Sequence, residues 1–394
     1  MNKKVAFFGA GSIYEKTVKS LGFDPIILFD NNKDLHGTKY MGIDVISPNK
    51  INEYIGEIEV IYITTTSFTD VYRQLLSQGI LEDLIKISPV LKSIMFVEKL
   101  ENFSGSFLFT SGLPSFTNDL SGGGLYELKI NKKSTSIRKI HSGNCHGLVF
   151  DENDGVYYLA DNDLGVLVLD KQYEVQRVLK TQEGLRPHGV SVLSDDYLAV
   201  GCSYDDSVYI ISKTNGQVKS RLGLSNQIKR NKSPQHHLND VWCDKGVIYA
   251  SMFSITGNWK RGVFDGGVIM FNDSLSSSNT GNHSVIIRDL QMPHNFQIHS
   301  DNYIFCNSLN GQVISSNGEV VYQSNGFVRG LCNTSENLII GESRNRNFAN
   351  ISGSLLNACI DTRISIVDKE SGAYRSVQIP GDVSEVHSIV QVSL

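Results

Sequence analysis

The chain has no surplus of positive charge, no apolar run long enough to span a bilayer, no Cys-x-x-Cys pair and few prolines. Each shortage closes a class of function. With 36 Lys and Arg against 41 Asp and Glu, the formal charge is −5, so no basic face is on offer to nucleic acid or to an anionic membrane surface. The longest basic cluster, Lys229-Arg230-Asn231-Lys232, reads as solvated loop. No segment approaches the roughly 20 apolar residues of a transmembrane helix. The apolar run after Lys3-Lys4 is too short for a signal peptide, so a cytoplasmic protein is expected. Of the six cysteines, Cys202, Cys243, Cys306 and Cys332 fall inside predicted strands, where they read as reduced, buried thiols. Eight prolines against 35 glycines suit a chain of short strands joined by tight turns.

What the chain does have is a recurring histidine. His146-Gly-Leu-Val-Phe, His188-Gly-Val-Ser-Val, His237-Leu-Asn-Asp-Val, His294-Asn-Phe-Gln-Ile and His387-Ser-Ile-Val-Gln each open an apolar strand, and Arg329-Gly-Leu-Cys fills the one slot without His. A second apolar strand follows most of these after eight or nine intervening residues, as in Val156 to Ala160 and Tyr303 to Cys306. The slots lie 42, 49, 57, 35 and 58 residues apart, the length of a four-stranded propeller blade. Phe107 to Thr110, Gly124 to Leu128 and Ser136 to Ile140 supply three strands of a further blade, whose inner strand is His387 to Val392. The expectation is an all-β propeller of six blades over residues 105–394, closed by the C-terminal strand.

Residues 1–100 have a different grammar. Lys4 to Phe8, Pro25 to Phe29, Val60 to Thr64 and Leu84 to Ile87 read as strands, with helices after Gly11 and from Phe68 to Gln78. This order predicts an α/β domain with a doubly wound parallel sheet. Gly9, Gly11 and Ser12 form the turn before the first helix, whose free N–H groups suit a phosphate, and Asp30 stands where such folds place a ribose-binding carboxylate. Tyr14 replaces the third glycine of G-x-G-x-x-G, where a bulky side chain would crowd a pyrophosphate; this argues against NAD(P). Ser88 to Leu100 reads as an amphipathic connector, with the domain boundary near residue 103.

Phe8-Gly-Ala-Gly-Ser-Ile, Leu28-Phe-Asp30-Asn-Asn, His36-Gly37 and Gly42-Ile-Asp-Val-Ile-Ser-Pro48 resemble the small Rossmann-like domain at the front of bacterial sugar acyltransferases. That resemblance implies a nucleotide-sugar site. The remainder resembles an uncharacterised bacterial propeller family known only as a domain of unknown function. More distantly it is similar to the gluconolactonase and streptogramin-lyase propellers, which hold a divalent metal mainly with carboxylate and Asn side chains. This chain puts His at those places.

Inner strands of a propeller share one axis, so His146, His188, His237, His294, His387 and Arg329 are expected to form one catalytic ring. His146, His188, His237 and His294 would be ligands for Zn, Mn, Fe or Ni. A metal-free ring would keep one His as general base, and a third reading leaves the histidines lining a watery channel. His236 is an alternative to His237, because spacing does not fix the register. His36, His141, His283 and His299 fall off the pattern and read as surface residues. Around the mouth are expected Asp161, Ser203, Tyr204, Asp205, Ser251, Asn307 and, as substrate-binding groups, Trp259, Arg261, Glu342 and Arg344. Insertions at Ser254 to Gly267 and Asn345 to Asn357 would lid it. The implied partner is a small carbohydrate or nucleotide sugar, with no nucleic acid and no membrane insertion; oligomeric state is left open. The function expected is a lyase, isomerase or hydrolase of surface-carbohydrate synthesis. A non-catalytic sugar- or protein-binding module and an NAD-dependent oxidoreductase are the alternatives.

Overall fold

A computed structural model describes residues 4–113, 122–181, 185–271, 282–299, 302–344 and 359–392. The insertion expected at Asn345 to Asn357 lies outside the described residues. The chain forms two compact units, Met1–Lys99 and Leu100–Leu394.

In the first unit the short apolar runs form a six-stranded sheet. Its order is Lys39–Tyr40, Ile43–Ile46, Ile27–Phe29, Val5–Phe8, Val60–Ile63 and Ile85–Ile87. The sheet is mixed where an all-parallel one was expected. Met41 and Gly42 both have positive φ (53° and 86°), the geometry of a tight hairpin turn, and this folds Lys39–Tyr40 back antiparallel on Ile43–Ile46. Its longest complete helices are Ser12–Leu21 and Phe68–Ser77. Tyr14 does not crowd the Gly9–Ser12 turn. It is fully buried against Phe7 and Tyr40, with ring centroids 5.6 and 5.8 Å away, and fills space between helix and sheet.

The second unit is the six-bladed propeller. Five blades are consecutive four-stranded sheets beginning at Cys145–Asp151, Pro187–Val192, Leu238–Asp244, Pro293–His299 and Phe327–Asn333. The remaining blade, counted as the first of the six, is composite: Ile389–Gln391 pairs antiparallel with Ser104–Ser111, which continues into Gly124–Asn131 and Ser134–Ser142. The ring therefore closes with strands from both ends of the unit, as the sequence predicts.

Burial across a blade explains the hydropathy pattern. The third strand of the second blade, Gly165–Leu169, is buried at every position, whereas the outermost strand, Val175–Leu179, is exposed at all but Leu179. Neighbouring blades stack face to face, so Tyr158, Ala160 and Val168 of one meet Val190, Leu198 and Val200 of the next. Each such aliphatic side chain contributes about 1.5–3 kcal/mol by leaving water.

Inner strands approach so closely that small residues are obligatory. A Cβ on Gly147 would sit 2.7 Å from the Val190 nitrogen, and one on Gly189 would sit 2.7 Å from the Val241 nitrogen. His-Gly pairs are thus packing signatures: the His reaches the axis and the Gly lets the next blade in.

Candidate active site in the propeller funnel

Those glycine contacts fix which residues are equivalent. A Cβ on Gly147 would also meet the His188 carbonyl oxygen, and one on Gly189 the Asn239 carbonyl oxygen. Asn239, not His237 or His236, is therefore the fourth blade's counterpart of His146 and His188. The backbone agrees. Arg186, His237 and Met292 share left-handed φ values of 52–53°, each two residues before its ring position at His188, Asn239 and His294. The ring reads His146, His188, Asn239, His294, Arg329 and His387, every one at most 7% exposed.

Three imidazoles from consecutive blades converge. The His146 ring lies 4.2 Å from that of His188 and 4.1 Å from that of His387, centroid to centroid. One ligand nitrogen from each of the three falls within 4.8 Å of the others. Burial and neighbouring cationic groups hold His188 well below the usual histidine range, and His387 is pushed down to about 3 for the same leading reason, burial. Both are neutral at physiological pH, the form that ligates metal or accepts a proton.

The partners of these rings matter as much. His387 Nε2 lies 2.7 Å from Glu385 Oε2, and the other Glu385 oxygen is 2.7 Å from Arg329 Nη1. Because a carboxylate only accepts, Nε2 carries the His387 proton and Nδ1 keeps its lone pair. His146 Nε2 stands 3.0 Å from Asn144 Oδ1 and 2.9 Å from Asn162 Nδ2. His188 Nδ1 is buried without a hydrogen-bond partner among the described residues. A Cβ on Gly112 would come within 2.6 Å of the His146 ring and 3.1 Å of Glu385, so glycine there lets the composite blade close over the group. Arg329 stacks over Phe327 at 4.7 Å.

Of the histidines expected to converge, the structure groups His387 with His146 and His188, while His237 and His294 stand apart from that group. His294 lies 6.4 Å from His387 and turns Nδ1 to the Met292 carbonyl (3.0 Å) and Ser308 (2.8 Å). His237 is sandwiched between Phe253 (4.3 Å) and Trp259 (4.5 Å). His236 bonds Ser254 O and Ser225.

The residues expected around the mouth divide. Trp259 reaches the ring's edge through His237 and donates from its indole nitrogen to the Pro234 carbonyl. Arg261 is exposed and bonds its own loop at Asn258. Glu342 is fully buried inside its blade, where Tyr322, Ser324, Ser365 and Arg363 take up its two oxygens, so it has a structural task. Arg344 is exposed and bonds the Ile360 carbonyl. Asp205 is paired with Arg221 and Tyr209, Tyr204 carries the Arg186 guanidinium, and the Ser251 hydroxyl accepts from the Asp240 N–H. Ser203 is buried, and Asn307 caps the Gln291 N–H. Glu385 was not singled out from the sequence. Its position two residues before His387 was the available signal.

In the first unit, both Asp30 oxygens accept backbone N–H groups, from Ala10 at 2.7 Å and Asn32 at 2.7 Å. Asp30 therefore shapes the Gly turn itself. A Cβ on Gly9 would collide with the Thr64 carbonyl at 2.8 Å, whereas one on Gly11 meets nothing within 4 Å. The fold demands Gly9, while Gly11 and Ser12 border open space at an uncapped helix start.

No curated protein matches the chain. Residues 1–86 match a family described as C2185-like, N-terminal. Among solved structures, a nidogen/laminin complex is similar at a TM-score of 0.50 with 13% identity, covering 73% of this chain and 97% of that one. A protein of unknown function from Bacteroides caccae is similar at 0.49 with 12% identity, over 74% and 99%. The calcium-binding protein regucalcin from Agrobacterium tumefaciens reaches 0.43 with 12% identity, over 60% and 75%. At such identities the likeness speaks of the fold alone. Residues 171–393, more than half of the chain, match the family described as domain of unknown function DUF4915, and the chain belongs to that family.

Proposed function

We propose that the propeller funnel is a metal-dependent catalytic site in which His146, His188 and His387 hold a divalent transition ion and Arg329 receives an anionic group of the substrate. The observation that carries this reading is the convergence of three buried imidazoles from three consecutive blades, with His188 Nδ1 left without a partner. The donor set fits. A ligating histidine ordinarily donates its other N–H to a carboxylate, and His387 does so to Glu385. All-imidazole donation suits Zn, Mn, Fe or Ni better than calcium, which takes oxygen ligands.

When bound, such an ion polarises a carbonyl or hydroxyl oxygen or lowers the pKa of a bound water. The chain's own groups do the rest. Glu385 orients His387 and offsets part of the Arg329 charge; Arg329 positions a carboxylate or phosphate. His294, with its proton on Nδ1, presents Nε2 as a neutral acceptor. Phe253, Trp259 and His237 form an apolar wall suited to the C–H face of a sugar ring. These features support a lyase, isomerase or hydrolase acting on a small, oxygen-rich anionic substrate such as a sugar acid or sugar nucleotide. In this reading the first unit, with its open Gly11 turn, serves as the nucleotide-type recognition unit of a Rossmann-like kind.

The 2.7 Å contact between His387 and Glu385 also favours a second reading, a metal-free dyad in which His387 is the general base. Metal analysis of the purified full chain separates the two. A loss of about one equivalent of transition ion on going from the wild type to a His146→Ala/His188→Ala double variant that keeps its cooperative melting supports the metal site. Metal content untouched by that double variant sinks it.

A further inference from the structure

Away from the axis, a second group of donors lies between the composite blade and its neighbour. His141 is the last residue but one of a strand that ends at Ser142, Cys145 opens the next strand after Gly143-Asn144, and Asp161 closes the strand paired with it. Cys145 and His146 are consecutive on one strand, so their side chains leave on opposite faces. His146 faces the axis, and Cys145 enters the apolar layer of Leu108, Leu125 and Leu159.

Several observations set this group apart. Asp161 Oδ1 is spent on the backbone N–H groups of Asp163 and Leu164 (2.9 and 3.0 Å), while Oδ2 accepts from the Cys145 thiol at 3.7 Å and faces His141 Nε2 at 4.0 Å. The second distance is too long for a hydrogen bond, and His141 Nε2 is buried with no hydrogen-bond partner among the described residues. All three donor atoms lie within 4.8 Å of one another. A Cβ on Gly143 would fall on the Asp161 carboxylate, so the turn admits only glycine beside the group.

We infer that His141, Cys145 and Asp161 form a second metal site, of the zinc type, distinct from the funnel and not dependent on it. Donors about 2.0–2.3 Å from one tetrahedral ion stand roughly 3.4–3.6 Å apart, so the observed 3.7 and 4.0 Å need only a small inward adjustment. A mixed sulfur, nitrogen and oxygen set selects zinc over magnesium or calcium. His141-x-x-x-Cys145 supplies two ligands from one short turn and the neighbouring strand supplies the third. The site thereby ties the composite blade to the next one. Binding converts the Cys145 thiol to a metal thiolate, its proton passing to solvent while hydrating waters leave the ion. His141 remains 23% exposed along its side chain, which leaves the fourth position open to water.

Cobalt(II) added to chelator-stripped full-length protein tests this directly, because a thiolate–cobalt bond gives a near-ultraviolet charge-transfer band that imidazole ligation does not. The band is expected in the wild type and in the His146→Ala/His188→Ala variant. It is expected to disappear in Cys145→Ser and to need markedly more cobalt in His141→Ala, a substitution at a partly exposed position that leaves the blade core intact. No band at any cobalt concentration, or one that survives Cys145→Ser, overturns the inference. Either result leaves the funnel proposal standing, since that rests on a different variant.

Discussion

At the scale of single residues, the funnel is a case of burial setting protonation. His294 is 2% exposed, and burial, followed by the Arg329 charge, holds it well below the usual histidine value of 6.5. Unfolded, the same ring takes up a proton as pH drops through about 6.5; folded, it stays neutral. The unfolded chain therefore binds the extra proton throughout that window, and stability contributed by this group is lost as pH falls below about 6.5. The slope is about 1.4 kcal/mol per pH unit for one histidine. His294→Asn, which installs the residue that the fourth blade carries at Asn239, should flatten the acid limb of the stability curve by about that slope. Urea midpoints between pH 7 and pH 5 read it out; parallel curves for the two proteins would show that His294 titrates alike in both states. Glu385 follows the converse logic. It is 1% exposed and compensates Arg329 and orients His387, so its burial depends on both partners.

At the scale of strands, the inner-strand glycines set how closely blades approach. Gly147→Ala drives a methyl onto the Val190 nitrogen and Gly189 Cα, both backbone atoms that have no rotamer to give. A loss of roughly 1–3 kcal/mol is expected from such overpacking. Gly11→Ala, whose Cβ meets nothing, should be close to neutral in the same chemical melts. Equal costs at the two sites would contradict the packing argument. The same strands show what the sequence disclosed. Six blades, the composite closure and four of the ring residues, His146, His188, His294 and His387, were legible because inner strands repeat an apolar–ring–small–apolar pattern, as in Cys145-His146-Gly147-Leu148 and Val386-His387-Ser388-Ile389. Arg329 was legible as the exception to that histidine. The fourth blade was misread because His236-His237 drew the register two residues early, although Leu238-Asn239-Asp240-Val241 fits the pattern and His237-Leu-Asn does not. Glu342 was misplaced for another reason. Position at a strand end puts a residue near the mouth, but the side-chain network of Tyr322, Ser365 and Arg363 decides which way a carboxylate is used.

At the scale of the molecule, the propeller depends on its last strand. Ile389 pairs with Phe109, Val390 with Leu108 and Gln391 with Phe107, and in this register His387 stands beside His146 and Arg329. The closure is short but densely bonded: the His387 N–H donates to Thr110 O at 2.9 Å, the Thr110 N–H to Ser388 O at 3.1 Å, and the Val392 N–H to Ser106 O at 2.9 Å. Deleting residues 387–394 removes these bonds, the Ile389 side chain, worth about 1.5–3 kcal/mol, and one imidazole of the triad. It also bares the edge of Ser104–Ser111, a strand buried at six of its eight positions and so an apolar template for aggregation. Against a margin of about 5–15 kcal/mol for a typical domain, the truncated protein should be insoluble, or melt cooperatively at a clearly lower temperature. An ordinary chain end would fray at little cost. Soluble yield and melting temperature of the truncation decide between them. Unchanged values for both would mean that the ring does not need its closing strand, and that the three histidines are not held together by the fold.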